Sequence, residues 1–64
     1  MSEAKILIVE DEAVTGMDIR KSLVEMGYSV VAIATTGELA VRKAAELHPD
    51  LILMDIMLAG RMNG

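Results

Sequence analysis

Two short apolar runs, each followed directly by acidic residues, constrain this chain more than any other feature. Residues 6–9 are Ile-Leu-Ile-Val and lead into Glu10 and Asp11, and residues 51–54 are Leu-Ile-Leu-Met and lead into Asp55. Aliphatic runs of this length are too short for a buried helix and are typical of strands buried on both faces of a parallel sheet. We therefore expect two such strands, each with acidic residues at its carboxyl end.

Length, charge and composition limit the classes of protein that fit. A chain of 64 residues forms at most one domain, and a domain of this size buries only about 60% of the surface of its unfolded chain. The net charge of −4 argues against a nucleic-acid partner, which needs a cationic surface. No apolar run approaches the roughly 18 residues that span a bilayer, and the absence of cysteine fits a reducing compartment. We expect no membrane contact and a cytoplasmic location.

Strand and helix signals alternate strictly along the chain. Five elements are predicted: a strand over Lys5 to Val9, a helix from Ala13 to about Met26, a strand over Ser29 to Ala34, a helix that ends near His48, and a strand over Leu51 to Met54. The last residues, 59–64, are predicted to form a loop. Strands and helices that alternate in this way form a parallel sheet with right-handed crossovers.

Each predicted helix has an apolar stripe and end signals. In the first, the stripe is Val14, Met17, Leu23 and Met26, with Asp11 or Glu12 available as the amino-terminal cap and Gly27 as the stop. In the second, Thr35 and Glu38 have capping-box spacing, the stripe is Leu39, Ala40, Ala44 and Leu47, and Pro49 ends the helix. We expect both stripes to face the sheet.

The predicted fold is α/β: a partial doubly wound parallel sheet, β-α-β-α-β, with strand order 2-1-3. One helix covers each face, and the chain reverses direction between the first and third strands. Open sheets of this kind bind ligands at such a switch point, outside the carboxyl ends of the strands. Glu10, Asp11 and Asp55 would meet there. Carboxylates that meet either raise a pKa or hold a cation, and Mg²⁺ prefers oxygen ligands of this kind.

The two acidic motifs resemble the amino-terminal half of the receiver domain of two-component response regulators, which has a flavodoxin-like fold. The resemblance rests on residues 6–12, Ile-Leu-Ile-Val-Glu-Asp-Glu, and residues 49–57, Pro-Asp-Leu-Ile-Leu-Met-Asp-Ile-Met, and it extends over residues 1–64. It implies a phosphorelay signalling module rather than a conventional enzyme. Its phosphoryl donor would be a histidine kinase or a phosphotransfer domain.

The resemblance also implies residue roles. Asp55 corresponds to the aspartate that accepts the phosphoryl group. Glu10 and Asp11 correspond to the acidic pair that holds Mg²⁺ (or Mn²⁺), with Asp11 as a direct ligand and Glu10 acting through water. The backbone carbonyl of Met57 would complete the protein ligands. Family members also use a Ser or Thr and a Lys from later strands, so the 64-residue chain alone is expected to accept phosphoryl groups poorly.

A second function class stays open beside the phosphoacceptor. A degenerate or half receiver would act as a non-catalytic interaction module that self-associates through the third strand, whose aliphatic edge would recruit another chain. A phosphatase with an aspartate nucleophile fits less well, because that chemistry would want a second aspartate at position 57, where this chain has Met57.

Overall fold

A computed structural model describes residues 3–54 and contains the five predicted elements. They are β1 (Lys5–Val9), α1 (Ala13–Glu25), β2 (Ser29–Ala34), α2 (Gly37–Leu47) and β3 (Leu51–Met54). The three strands are parallel, in the order β2-β1-β3. The α/β class, the strand order and the bounds of all three strands are confirmed. The predicted loop over residues 59–64 lies outside the described part of the chain.

The central strand is the best-buried element. Ile6, Leu7, Ile8 and Val9 are at most 2% exposed. Side chains alternate between the faces of a strand, so two of these residues serve each face. Leu7 and Val9 form a core cluster with Ala34 and Ala40, and α2 therefore covers this face. The opposite face carries Ile6 and Ile8.

Helix α2 follows the sequence prediction except at its amino terminus. Ala40 is buried, and Leu39 and Ala44 pack against the core cluster as expected. The amino-terminal cap, however, is Thr36, whose Oγ1 accepts a hydrogen bond from the backbone N–H of Leu39 at 3.1 Å. The predicted capping box beginning at Thr35 is therefore wrong by one residue, because Gly37 already has helical geometry and the preceding residue takes the cap position.

The carboxyl ends of both helices are left-handed turns. Helix α2 ends at Leu47, and His48 takes a left-handed conformation with φ 49° before Pro49, close to the predicted end. Helix α1 ends at Glu25, and Gly27 has φ +98°, a conformation that glycine adopts without a Cβ penalty. Both stop signals are confirmed.

Helix α1 faces the sheet with a different stripe from the predicted one. Val14, Met17 and Met26 are 58–74% exposed. The helix instead turns Gly16 inward, where it is buried, with Ile19 and Leu23 half-buried on the same side at helical spacing. Of the predicted stripe, Leu23 alone is on this side, because the buried residue of α1 is a glycine and does not count in an apolar pattern. Across residues 3–54, no helix is long and apolar enough to cross a membrane.

Candidate functional site

The carboxyl end of β1 holds two of the predicted site residues. Glu10 follows directly after Val9 and is 3% exposed, and its backbone N–H donates to the Ala34 carbonyl oxygen at 2.9 Å. This bond extends the pairing of β1 with β2 beyond the last strand residue. Asp11 comes next and is half-buried. The two carboxylates therefore leave the sheet at its carboxyl edge, as the sequence predicted.

The carboxylate of Glu10 also shapes the start of α1. Its Oε1 accepts a hydrogen bond from the backbone N–H of Glu12 at 3.2 Å. Glu12 occupies the cap position, but within residues 3–54 its side chain forms no capping hydrogen bond. Glu12, one of the two cap residues that the sequence offered, thus takes the cap position, and its own amide is bound by the Glu10 carboxylate. A negative charge beside a helix amino terminus is favourable.

The register between β1 and β3 determines which residues end side by side. Ile6 pairs with Leu51 at one end, and Val9 pairs with Met54 at the other. A reciprocal pair of hydrogen bonds holds the start of this ladder: Lys5 N donates to Asp50 Oδ2 at 2.8 Å, and Asp50 N donates to Lys5 O at 2.8 Å. β1 and β3, the strands that precede Glu10 and Asp55 in sequence, thus pair in register along the whole of β3.

The two remaining predicted site residues, Asp55 and Met57, lie outside residues 3–54, so their predicted roles stay predictions. In the part of the chain that the structure describes, no group of three or more His, Cys, Asp or Glu side chains is arranged to hold a metal ion. Glu10 and Asp11 are nevertheless consecutive carboxylate residues at the end of β1, and hard oxygen donors of this kind suit Mg²⁺. The donor set fits the ion that the resemblance implies.

One residue of the site region was missed from the sequence. A Cβ atom placed on Gly16 would lie 2.9 Å from Cγ2 of Ile33 and 3.7 Å from the Cβ of Glu10. The glycine thus brings the first turn of α1 against the strand ends that carry the acidic pair. A signal was available, because a glycine inside a helical pattern lowers helix stability and usually has a packing reason.

Comparison with known proteins gives the family. The model of the response regulator receiver domain matches residues 6–64. The chain is 47% identical over 58 residues to the transcriptional regulatory protein PdtaR of Mycobacterium tuberculosis, covering 89% of this chain and 28% of that protein. It is 42% identical over 60 residues to the chemotaxis protein CheY of Thermotoga maritima, covering 94% of this chain and 49% of that protein.

A solved structure agrees with these matches. The signal receiver domain of a modulated diguanylate cyclase from Desulfovibrio desulfuricans superposes with a TM-score of 0.80 at 44% identity, covering 86% of this chain and 44% of the other. The chain belongs to the response regulator receiver domain family, the signalling domain of two-component systems. It spans less than half the length of each of these three relatives.

Proposed function

We propose that this chain provides the phosphoacceptor of a two-component phosphorelay, with Asp55 as the accepting residue. The observation that supports this most is the register of the two acid-bearing strands. Val9 pairs with Met54 at the carboxyl ends of the two strands, and Glu10 and Asp55 are the next residues in sequence. Consecutive Cα atoms are 3.8 Å apart, which limits how far either residue departs from its strand end.

The proposed chemistry is phosphoryl transfer from a histidine to a carboxylate. An oxygen of the Asp55 carboxylate attacks the phosphorus, the bond from phosphorus to the imidazole nitrogen breaks, and the nitrogen keeps that electron pair. The product is an acyl phosphate on Asp55. Because little covalent chemistry falls to the protein in such transfers, positioning and charge stabilisation dominate. The donor is a histidine kinase or a phosphotransfer domain, and we place the reaction in the cytoplasm.

Glu10 and Asp11, with the Asp55 carboxylate and the Met57 carbonyl oxygen, are the proposed holders of Mg²⁺ or Mn²⁺. When bound, the ion neutralises charge on the carboxylate and on the phosphoryl oxygens. Asp11 would serve as a direct ligand and Glu10 through water. Glu10 suits an indirect role, because its Oε1 already accepts the amide hydrogen of Glu12.

Metal binding and labelling test this proposal together. Asp11→Asn should remove most Mn²⁺ binding, which we expect in the millimolar range for a site that keeps several waters. In a complete receiver domain that contains these residues, a small-molecule phosphodonor should label Asp55, and Asp55→Asn should abolish the label. Asp18→Asn is the matched control, since Asp18 is an exposed aspartate in the middle of α1.

Three results would contradict the proposal: a label that survives Asp55→Asn, a loss of labelling in Asp18→Asn equal to that in Asp55→Asn, or Mn²⁺ binding unchanged by Asp11→Asn. The isolated 64-residue chain should be labelled poorly, because it lacks the hydroxyl and ammonium groups that family members add from later strands. Efficient labelling of the isolated chain would show that those groups are dispensable.

A second function is supported by the exposure of β3. Its four side chains, Leu51 to Met54, are all exposed, and β3 is an edge strand of the sheet formed by residues 3–54. Aliphatic edges of this kind pair with other chains. The alternative is therefore a non-catalytic module that self-associates through β3, most simply as a two-fold dimer that pairs β3 with β3.

A further inference from the structure

Helix α1 lies tightly against the sheet at Gly16, its buried residue. A Cβ atom there would lie 2.9 Å from Cγ2 of Ile33, whereas carbon atoms in good contact are about 3.5–4.0 Å apart. Cγ2 of Ile33 is attached directly to Cβ, and β-branched side chains are stiff about χ1, so it cannot easily move aside. A side chain at position 16 therefore requires the first turn of α1 to shift away from the sheet.

The segment that would shift with this turn carries the acidic pair. Asp11 and Glu12 are the two residues between Glu10 and the first helical residue, Ala13. Glu10 itself is held by two hydrogen bonds: its N–H donates to the Ala34 carbonyl, and its Oε1 accepts from Glu12 N. A Cβ atom on Gly16 would lie 3.7 Å from the Glu10 Cβ, so this part of the helix faces Glu10. Moving α1 outward would separate Glu12 N from the Glu10 carboxylate.

We propose that Gly16 is a positioning residue for the carboxylates of Glu10 and Asp11. Its missing side chain lets α1 begin close enough to the sheet for the Glu12 amide to reach Glu10, and this contact orients the acidic pair toward the metal site. The proposal rests on the metal site proposed above. A glycine that served packing alone would affect stability and leave metal affinity unchanged, so the two roles are separable by measurement.

The test uses two substitutions at Ile33, one that removes the clashing atom Cγ2 and one that keeps it. Ile33→Ala removes Cγ2, while Ile33→Val keeps a γ-carbon at both branches. Gly16→Ala should bind Mn²⁺ about tenfold more weakly than the parent in the full-length protein, the lower end of what loss of a supporting contact costs a metal site. The double variant Gly16→Ala with Ile33→Ala should recover the affinity of Ile33→Ala alone. The double variant with Ile33→Val should not recover.

Thr15→Ala is the matched control on the same helix. Thr15 is exposed beside Gly16, so this substitution also introduces a better helix former but adds no atom toward the sheet. It should leave Mn²⁺ affinity unchanged. A tenfold loss in Thr15→Ala would overturn the proposal, because the effect would then follow from helix propensity.

A second measurement does not depend on metal. Hydrogen exchange of the Glu12 amide, which donates to Glu10 Oε1, should be faster in Gly16→Ala and slow again when Ile33→Ala is added. Unchanged exchange in Gly16→Ala would overturn the positioning role. If the parent protein binds no Mn²⁺, the metal proposal fails on its own, and this exchange rate still decides the role of Gly16. If Gly16→Ala alone does not fold, the exchange rate of the Glu12 amide is measured in the double variant with Ile33→Ala and in Ile33→Ala alone. The two rates should be equal, and faster exchange in the double variant would overturn the proposal.

Discussion

Two strands of the same sheet have nearly the same composition and opposite environments. β1 contains Ile-Leu-Ile-Val over residues 6–9, and β3 contains Leu-Ile-Leu-Met over residues 51–54. The first four are at most 2% exposed, whereas the second four are 39–55% exposed. The two strands lie side by side in parallel register, so the difference does not come from hydrophobicity. It comes from the position of each strand in the sheet.

The position of each strand in the sheet also determines which elements surround it. β1 pairs with a strand on each side, and α1 and α2 contact it on opposite faces, so the Glu10 that follows it is fixed by the surrounding structure. β3 pairs with β1 along one edge, and an apolar groove of about 280 Å³ separates its Ile52 and Met54 from α2. The buried strand fixes an acidic residue, while the exposed strand leaves four aliphatic side chains uncovered in the part of the chain that the structure describes.

The largest expected effect tests burial directly at a pair of registered residues. Leu7 and Ile52 are neighbours across the ladder, and Leu7 is fully buried while Ile52 is 47% exposed. Leu7→Ala should lower the free energy of unfolding by about 3 kcal/mol, because it leaves a cavity in the core, and Ile52→Ala should lower it by about 1 kcal/mol. Urea unfolding of the dilute 64-residue chain, followed by circular dichroism, measures both. Equal losses of unfolding free energy in the two variants would contradict the difference in burial between β1 and β3.

The next effect concerns the exposed strand as an interface. Leu53→Lys should weaken self-association at least tenfold, about 1.4 kcal/mol, because a charge on an edge strand opposes pairing with another chain. Val24→Lys adds the same charge at an exposed position of α1 and should leave association unchanged. Sedimentation velocity at micromolar concentration compares them. A 6.9 kDa parent chain that stays monomeric at this concentration, or equal association of Leu53→Lys and the parent, would contradict the β3 interface.

The smallest effect tests how α2 contributes to the burial of β1. Ala40 of this helix packs with Leu7 and Val9, so fraying the helix should expose one face of the central strand. Thr36→Ala should reduce the free energy of unfolding by about 1 kcal/mol through loss of the cap, while Thr35→Ala should have little effect. Thermal unfolding of the two variants distinguishes them. A larger loss from Thr35→Ala would restore the capping box predicted from the sequence.

The sequence predicted α2 well and α1 poorly for a definable reason. In α2, the residues that face the core, Leu39, Ala40 and Ala44, are also the apolar ones, so periodicity finds the face. In α1, the buried residue is Gly16, which adds nothing to an apolar count. The cap at Thr36 was missed because Thr35 and Thr36 are chemically equivalent, and only the backbone geometry selects between them.

The sequence by itself determined the element order, the bounds of the three strands, the strand order and the family, because short aliphatic runs, helix stops and two acidic motifs are local signals. It also placed Glu10 and Asp11 after the first strand. The predicted strand order also put β1 at the centre and β3 at an exposed edge, which the structure confirms. Only the tertiary structure decided that α1 turns Gly16 toward Ile33, and that the Glu10 carboxylate accepts the Glu12 amide. These features depend on which atoms meet across the fold, and no local pattern of residues encodes distances between elements.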